Sequence, residues 1–267
     1  GNTRTSQFHE SIMSRLFGHN RRYLLILILI ITPPLLLLSG LFMMALHPDA
    51  FQSGYFEMIY PTAVVVGLSY PIVGGVVVRK QPANIGGWML IAGGMMVAIS
   101  QWTIGYVIFS YHSLAEPFPG TDLISWVGVW LWSVSLSVIP MSLLYFPDNR
   151  PVSRAWNWVL VLIALSLLDP LARAIYSWDL RGLTLVNEEV RVLMDQMDGR
   201  LGTLQLIGRI SFMVASLLAC FSIAIRYRPA DVIGRLQIKW VAFGFSIFAL
   251  ATIIWVLLSE TPSSPWS

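Results

Sequence analysis

Long apolar stretches, each about the length of a membrane crossing, alternate along this chain with short segments rich in Pro, Gly, Arg and Trp. Seven stand out, at about 23–46, 59–78, 86–110, 123–146, 156–175, 203–225 and 240–258. As a helix the first, Tyr23 to Leu46, would be about 36 Å long, enough to cross a hydrocarbon core of about 30 Å with some tilt. It is too long for the apolar centre of a signal peptide, and no small-residue cleavage site follows it, so it reads as an anchor that is retained. Pro33-Pro34 lies within it and predicts a kink near its middle. The pattern predicts an all-α fold, a polytopic helix bundle of about seven membrane crossings. A polar segment, 1–22, precedes the membrane domain 23–258, and a short polar tail, 259–267, follows it.

The stretch that orients the crossings is Leu143-Leu-Tyr-Phe-Pro-Asp-Asn-Arg-Pro-Val-Ser-Arg-Ala-Trp156. Pro147 has no backbone donor and Asp148-Asn149 suits a tight turn, so the fourth span ends here. Arg150 and Arg154 then stand at the membrane surface, where arginine marks the cytoplasmic side. Alternate connections repeat the bias. One set holds Arg4, Arg15, Arg21, Arg22, Arg79, Lys80, Arg150, Arg154, Arg226, Arg228, Arg235 and Lys239; the other holds only Arg181, Arg191 and Arg200. The N-terminus is therefore expected in the cytoplasm, and seven crossings would leave the C-terminus outside. The longest extracytoplasmic loop, 176–202, carries Val190, Leu193, Met194 and Met197 at helical spacing, which predicts a short amphipathic helix on the membrane surface.

Composition agrees. Hydrophobic residues make up 56% of the 267 and charged residues only 12%, where a soluble chain carries about 25% charged residues. Mean hydropathy is +0.68. Eleven tryptophans and nine tyrosines suit aromatic belts at both bilayer interfaces. The net charge of +3 is strung along short loops rather than gathered on one face, so it marks topology and gives no reason to expect nucleic acid. The single Cys220 excludes an intrachain disulfide and a multi-cysteine metal site. His9, His19, His47 and His112 lie in the tail or near span ends, so none is placed to ligate a haem inside the bilayer. The glycine doublets Gly74-Gly75, Gly86-Gly87 and Gly93-Gly94 suit close helix packing rather than phosphate binding. No phosphate loop, metal cluster or activated nucleophile is visible, so neither a cofactor nor a metal is expected, and this chain is not expected to be an enzyme.

Three motifs carry a resemblance. Phe146-Pro-Asp-Asn-Arg-Pro151 resembles the "FPDGR" turn in the membrane-embedded N-terminal halves of ComP-like bacterial sensor histidine kinases. Pro82-Ala-Asn-Ile-Gly-Gly-Trp88 is similar to their "NPIGWLL" helix start, and Arg235-Leu-Gln-Ile-Lys-Trp240 to their "RQQIKW". Together these cover roughly Arg79 to Phe245. Asn149 stands where the family has glycine, and Ala83-Asn84-Ile85 lacks its Asn-Pro. The resemblance implies a quorum-sensing receptor in a two-component system of the bacterial cytoplasmic (inner) membrane. It further implies a homodimer, a small hydrophobic or lipidated peptide as signal, and a cytoplasmic kinase region beyond this chain. Pro147, Asp148, Arg150, Arg235, Lys239 and Trp240 are the candidate relay residues; equally, they orient helices and anchor them among membrane lipids.

Charges inside the spans are the sharpest candidates for a site. Asp169 and Arg173 lie one helical turn apart in the fifth span, and Arg209 lies in the sixth. A charge at the bilayer centre costs on the order of 3 kcal/mol or more, so all three should face protein or water. Asp169 has two available partners, Arg173 at i,i+4 and Arg209 across the bundle. The group is either a structural pair near the outer surface or the lining of a cavity that takes a polar part of a ligand. Three function classes come into view: a receptor module, an accessory subunit of a larger membrane complex, and a transporter, which should show an inverted repeat of broken helices. Pro33-Pro34 and Pro71 break early spans and only Asp169-Pro170 breaks a late one, so no such repeat is evident, and the three motifs favour the receptor.

Overall fold

The computed structural model describes residues 2–47, 54–113, 116–146, 149–178 and 199–228, with Val232, Arg235 and Lys239; side chains in the first two helices are described from Tyr23 and Ala63 onward. The seventh expected span, the amphipathic helix expected at 190–197, the tail, Pro147, Asp148 and Trp240 lie outside the described residues.

All the described elements are helical: α1 (Asn2–Ala45), α2 (Gly54–Lys80), α3 (Ile85–Ser113), α4 (Thr121–Tyr145), α5 (Asn157–Ser166), α6 (Leu168–Tyr176) and α7 (Gly199–Tyr227), with a 3-10 turn at Arg154–Trp156 before α5. Among the described residues six crossings are long and apolar enough to span a membrane, α5 and α6 together making one of them. The protein is a multi-pass membrane helix bundle. Its outer surface says the same: Leu24, Leu35, Leu38 and Phe42 of α1 and Leu206, Met213 and Leu217 of α7 are all exposed. A water-facing protein would hide such contiguous apolar faces; here they meet lipid.

α1 begins at Asn2, so residues 2–22 of the polar segment continue the first span as helix. α1 is also continuous through Pro33-Pro34. Just before the prolines, the Thr32 hydroxyl donates to the Ile28 carbonyl at 2.8 Å.

α3 packs against α1, α2 and α4, while α7 packs against α4, α5 and α6, which leaves α4 between two groups of helices. Glycine makes the first group tight. A Cβ on Gly105 would strike the backbone of Gly40, and one on Gly94 would strike Pro71. Lipid tails are as apolar as leucine, so helices in a bilayer associate through such close approach and through polar bonds between helices. The Ser100 hydroxyl on α3 supplies one, donating to the Gly128 carbonyl of α4 at 3.1 Å.

The ends of the helices sort by charge. Arg79 and Lys80 close α2, and Arg226 closes α7. The α4–α5 turn, with Arg150 and Arg154, touches both the start of α3 and the end of α7. At the opposite face, Tyr111 donates to Asp122 at 2.7 Å and Ser110 bonds Thr121 at 2.7 Å. By the positive-inside bias the basic face is the one expected in the cytoplasm. A Ser153→Cys chain in a Cys220→Ala background should react with an impermeant maleimide only after the membrane is opened. Labelling of intact cells at Ser153 would invert the topology.

Candidate functional site

Pro170 sets the geometry of the charged site. It has no N–H for the Ser166 carbonyl, and its ring crowds that carbonyl, so the helix is weakened at this point. The chain breaks at Leu167 and restarts as α6. The freed polar groups at the break find local partners: the Ser166 hydroxyl donates to Ile163 O at 2.7 Å and bonds the Ser137 hydroxyl of α4 at 2.9 Å. The restart places Asp169 in the first turn of α6, where the positive end of the helix dipole favours a carboxylate.

Glycine brings the partner helix in. A Cβ on Gly208 of α7 would collide with the Asp169 backbone nitrogen and lie 2.9 Å from the Asp169 Cβ. The neighbouring residue, Arg209, is thereby carried to the Asp169 carboxylate. Arg209 Nε stands 3.2 Å from Asp169 Oδ1, and Arg173 Nε stands 3.3 Å from Oδ2. The carboxylate is thus shared, one oxygen to each guanidinium. Gln205, four residues before Arg209, completes the ring: with its amide oxygen turned to the guanidiniums, it accepts from Arg173 Nη2 at 3.0 Å and from Arg209 Nη2 at 2.7 Å.

The three charged residues singled out in the sequence therefore meet, and both partnerships open to Asp169 are made at once. Arg209 lies ten residues into α7, or about 15 Å along its axis, deep enough for the charges to need one another. Asp169 is 12% exposed and Arg173 20%, but Arg209 is 51% exposed. All three border a cavity of about 290 Å³ whose other walls include Val129, Trp132, Ser133, Leu136 and Ser137 of α4 and Phe212 of α7. That volume is at the lower end of the range for small-molecule sites, about 300–1,000 Å³. Trp126 fastens α4 to α6 above the cavity, its indole N–H donating to Ala174 O at 2.8 Å, with Trp178 packed edge-on against it at 5.1 Å.

The second assembly is on the basic face, where two of the three resembling motifs touch. Asn149 has φ of 60°, a left-handed conformation that glycine takes freely and asparagine tolerates best among the rest. This is the position where the resembling family has glycine. The Asn149 side chain accepts from Ile85 N at 2.9 Å and donates to Ala83 O at 3.3 Å. Asn84 accepts from Gly87 N at 2.9 Å, so two asparagines cap the start of α3, where backbone donors have no intrahelical partner. Trp88 donates to Pro82 O at 3.0 Å. Arg226, 8% exposed, donates to Leu144 O at 2.9 Å and to Arg150 O, tying the end of α7 to the end of α4 and to the turn beyond.

Of the relay candidates, Arg150 takes part through its carbonyl. Arg235 donates to Arg228 O at 3.1 Å and lies over the Tyr227 ring at 5.9 Å, whereas Lys239 is exposed. The structure also brings the His47 and His112 rings to 5.8 Å, with His47 bonded to Ser113. Among the described residues no group of three or more metal-ligating side chains forms.

Sequence reasoning missed Gln205, Gly208 and the bonding of Arg226. Gln205 carried a usable signal, a polar residue within an apolar span and one turn from Arg209. Gly208 and Arg226 carried none, because their partners are remote in sequence. Comparison with known protein families, with curated proteins and with solved structures gave no match.

Proposed function

We propose that this chain is the membrane-embedded signal-sensing module of a bacterial two-component sensor histidine kinase, seated in the cytoplasmic membrane and working as a dimer. The observation that supports it most is that α4 and α7 carry both assemblies. Midway along α4 these two helices wall the charged cavity; at the basic face Arg226 ties their ends together beside the Asn149 turn. A ligand that enters the cavity spreads or draws in α4 and α7, and the displacement reaches the cytoplasm at the Arg226 contact. A site with differential contacts in two states, joined to a movable element, is what a switch requires. In this proposal the chain binds and moves, and phosphoryl transfer belongs to an attached kinase region.

The test is the mass and C-terminal peptide map of the protein isolated from its native membrane. The expected result is a chain well above 29.9 kDa with peptides from a kinase region. A chain ending at Ser267 would overturn the proposal in favour of an accessory subunit of a membrane complex.

A further inference from the structure

We infer that the cavity between α4, α6 and α7 is an anion site that takes the negatively charged head of a small amphiphile; this rests on the cavity being the sensing site. The cluster holds two cations and one anion. Asp169 is divided between Arg173 and Arg209, and Gln205 adds acceptor oxygen but no charge, so the formal charge on the cavity wall is +1. A guanidinium has five N–H donors. Arg173 and Arg209 each use two of theirs on Asp169 and Gln205, which leaves donors for an incoming oxyanion. Arg209, half-exposed on the cavity wall, is the one placed to give them. The Ser133 hydroxyl of the lining adds a donor, and Trp132, Leu136 and Phe212 give an apolar wall for the rest of the ligand. A single carboxylate or phosphodiester, each carrying one negative charge, brings the wall to neutrality in a place where unbalanced charge is costly. The anionic group has two sources, a free amphipathic acid or the headgroup of an anionic phospholipid.

The probes are laurate and dodecanol, matched in chain length and differing in charge. They are titrated against the full chain in phosphatidylcholine nanodiscs, with tryptophan fluorescence as readout, at about pH 8, where a carboxylate is ionised. Laurate should bind saturably and dodecanol about tenfold more weakly or worse, because only laurate offers a charge-assisted bond. Arg209→Gln should weaken laurate about tenfold, while Arg209→Lys, which keeps the charge, should stay within about threefold. Equal affinities for laurate and dodecanol overturn the inference. So does an Arg209→Gln chain that is folded by circular dichroism and binds laurate as the parent does. If Arg209→Gln fails to fold, the laurate–dodecanol ratio in the parent and in Arg209→Lys decides.

Nanodiscs containing phosphatidylglycerol separate the sources. Competition that weakens laurate there assigns the site to a lipid headgroup, and unchanged affinity assigns it to a free acid; both keep the anion site. Spin labels at Ser153→Cys and Arg228→Cys, in a Cys220→Ala background, separate this inference from the sensing proposal. Laurate binding with no change in label distance upholds the anion site and overturns the relay. A distance change driven equally by dodecanol upholds the relay and overturns the anion site.

Discussion

Asp169→Asn should lower the unfolding free energy in detergent micelles by about 3 kcal/mol, the lower end of the cost of breaking a buried ion pair. The change keeps the shape and one carbonyl oxygen but removes the charge that Arg173 and Arg209 share. Two guanidiniums then face each other across a glutamine oxygen, and their repulsion acts on the α6–α7 contact where Gly208 meets the Asp169 backbone. The half-exposed Arg209 can turn away, which keeps the cost from being larger. Denaturant titration followed by circular dichroism reads the effect. A loss within about 0.5 kcal/mol, the size of an ordinary surface change, together with unchanged signalling, would remove Asp169 from the site. In a cycle with Arg209→Gln the two changes should be less than additive, because the second charge no longer has a partner to lose.

Arg226→Met should cost about 2 kcal/mol, because the buried Leu144 carbonyl and the part-buried Arg150 carbonyl lose a charged donor and methionine supplies none. The larger consequence is local. Amides at the ends of α4 and α7 should exchange with deuterium faster, while those in the middle of α3 stay protected. Arg226→Lys should recover only part of the loss, since an ammonium lacks the planar fork of guanidinium donors. Protection at Asn149 equal to that of the parent chain would show that the two helix ends are held by something other than Arg226.

The crossings were readable because each needs a long apolar run with polar ends. The structure places α3 at Ile85–Ser113 and α4 at Thr121–Tyr145, within a few residues of the stretches read from the sequence. The break in the fifth span was foreshadowed by Asp169-Pro170, because proline's missing donor acts on its own helix. Of the site, the three charges were legible as charges out of place in lipid, and their i,i+4 spacing gave one of the two partnerships. Their gathering with Gln205 was not, since it depends on where Gly208 lets α7 cross α6. Arg226 counted in the sequence only as one of many basic residues near the cytoplasm. Its burial against Leu144 and Arg150 comes from tertiary packing that composition does not encode.

The sharing of Asp169 also sets an order of events at the ribosome. Arg209 follows Asp169 by 40 residues, which is about 2–8 s of synthesis at roughly 5–20 residues per second. For that interval the fifth span carries its carboxylate with only Arg173, four residues away on the same helix, as partner. It enters lipid as a locally neutral unit. The sixth span then arrives with an unmatched Arg209, whose acid is already waiting in the membrane. Asp169 therefore receives the next helix during biogenesis, and its replacement should delay the stable insertion of α7.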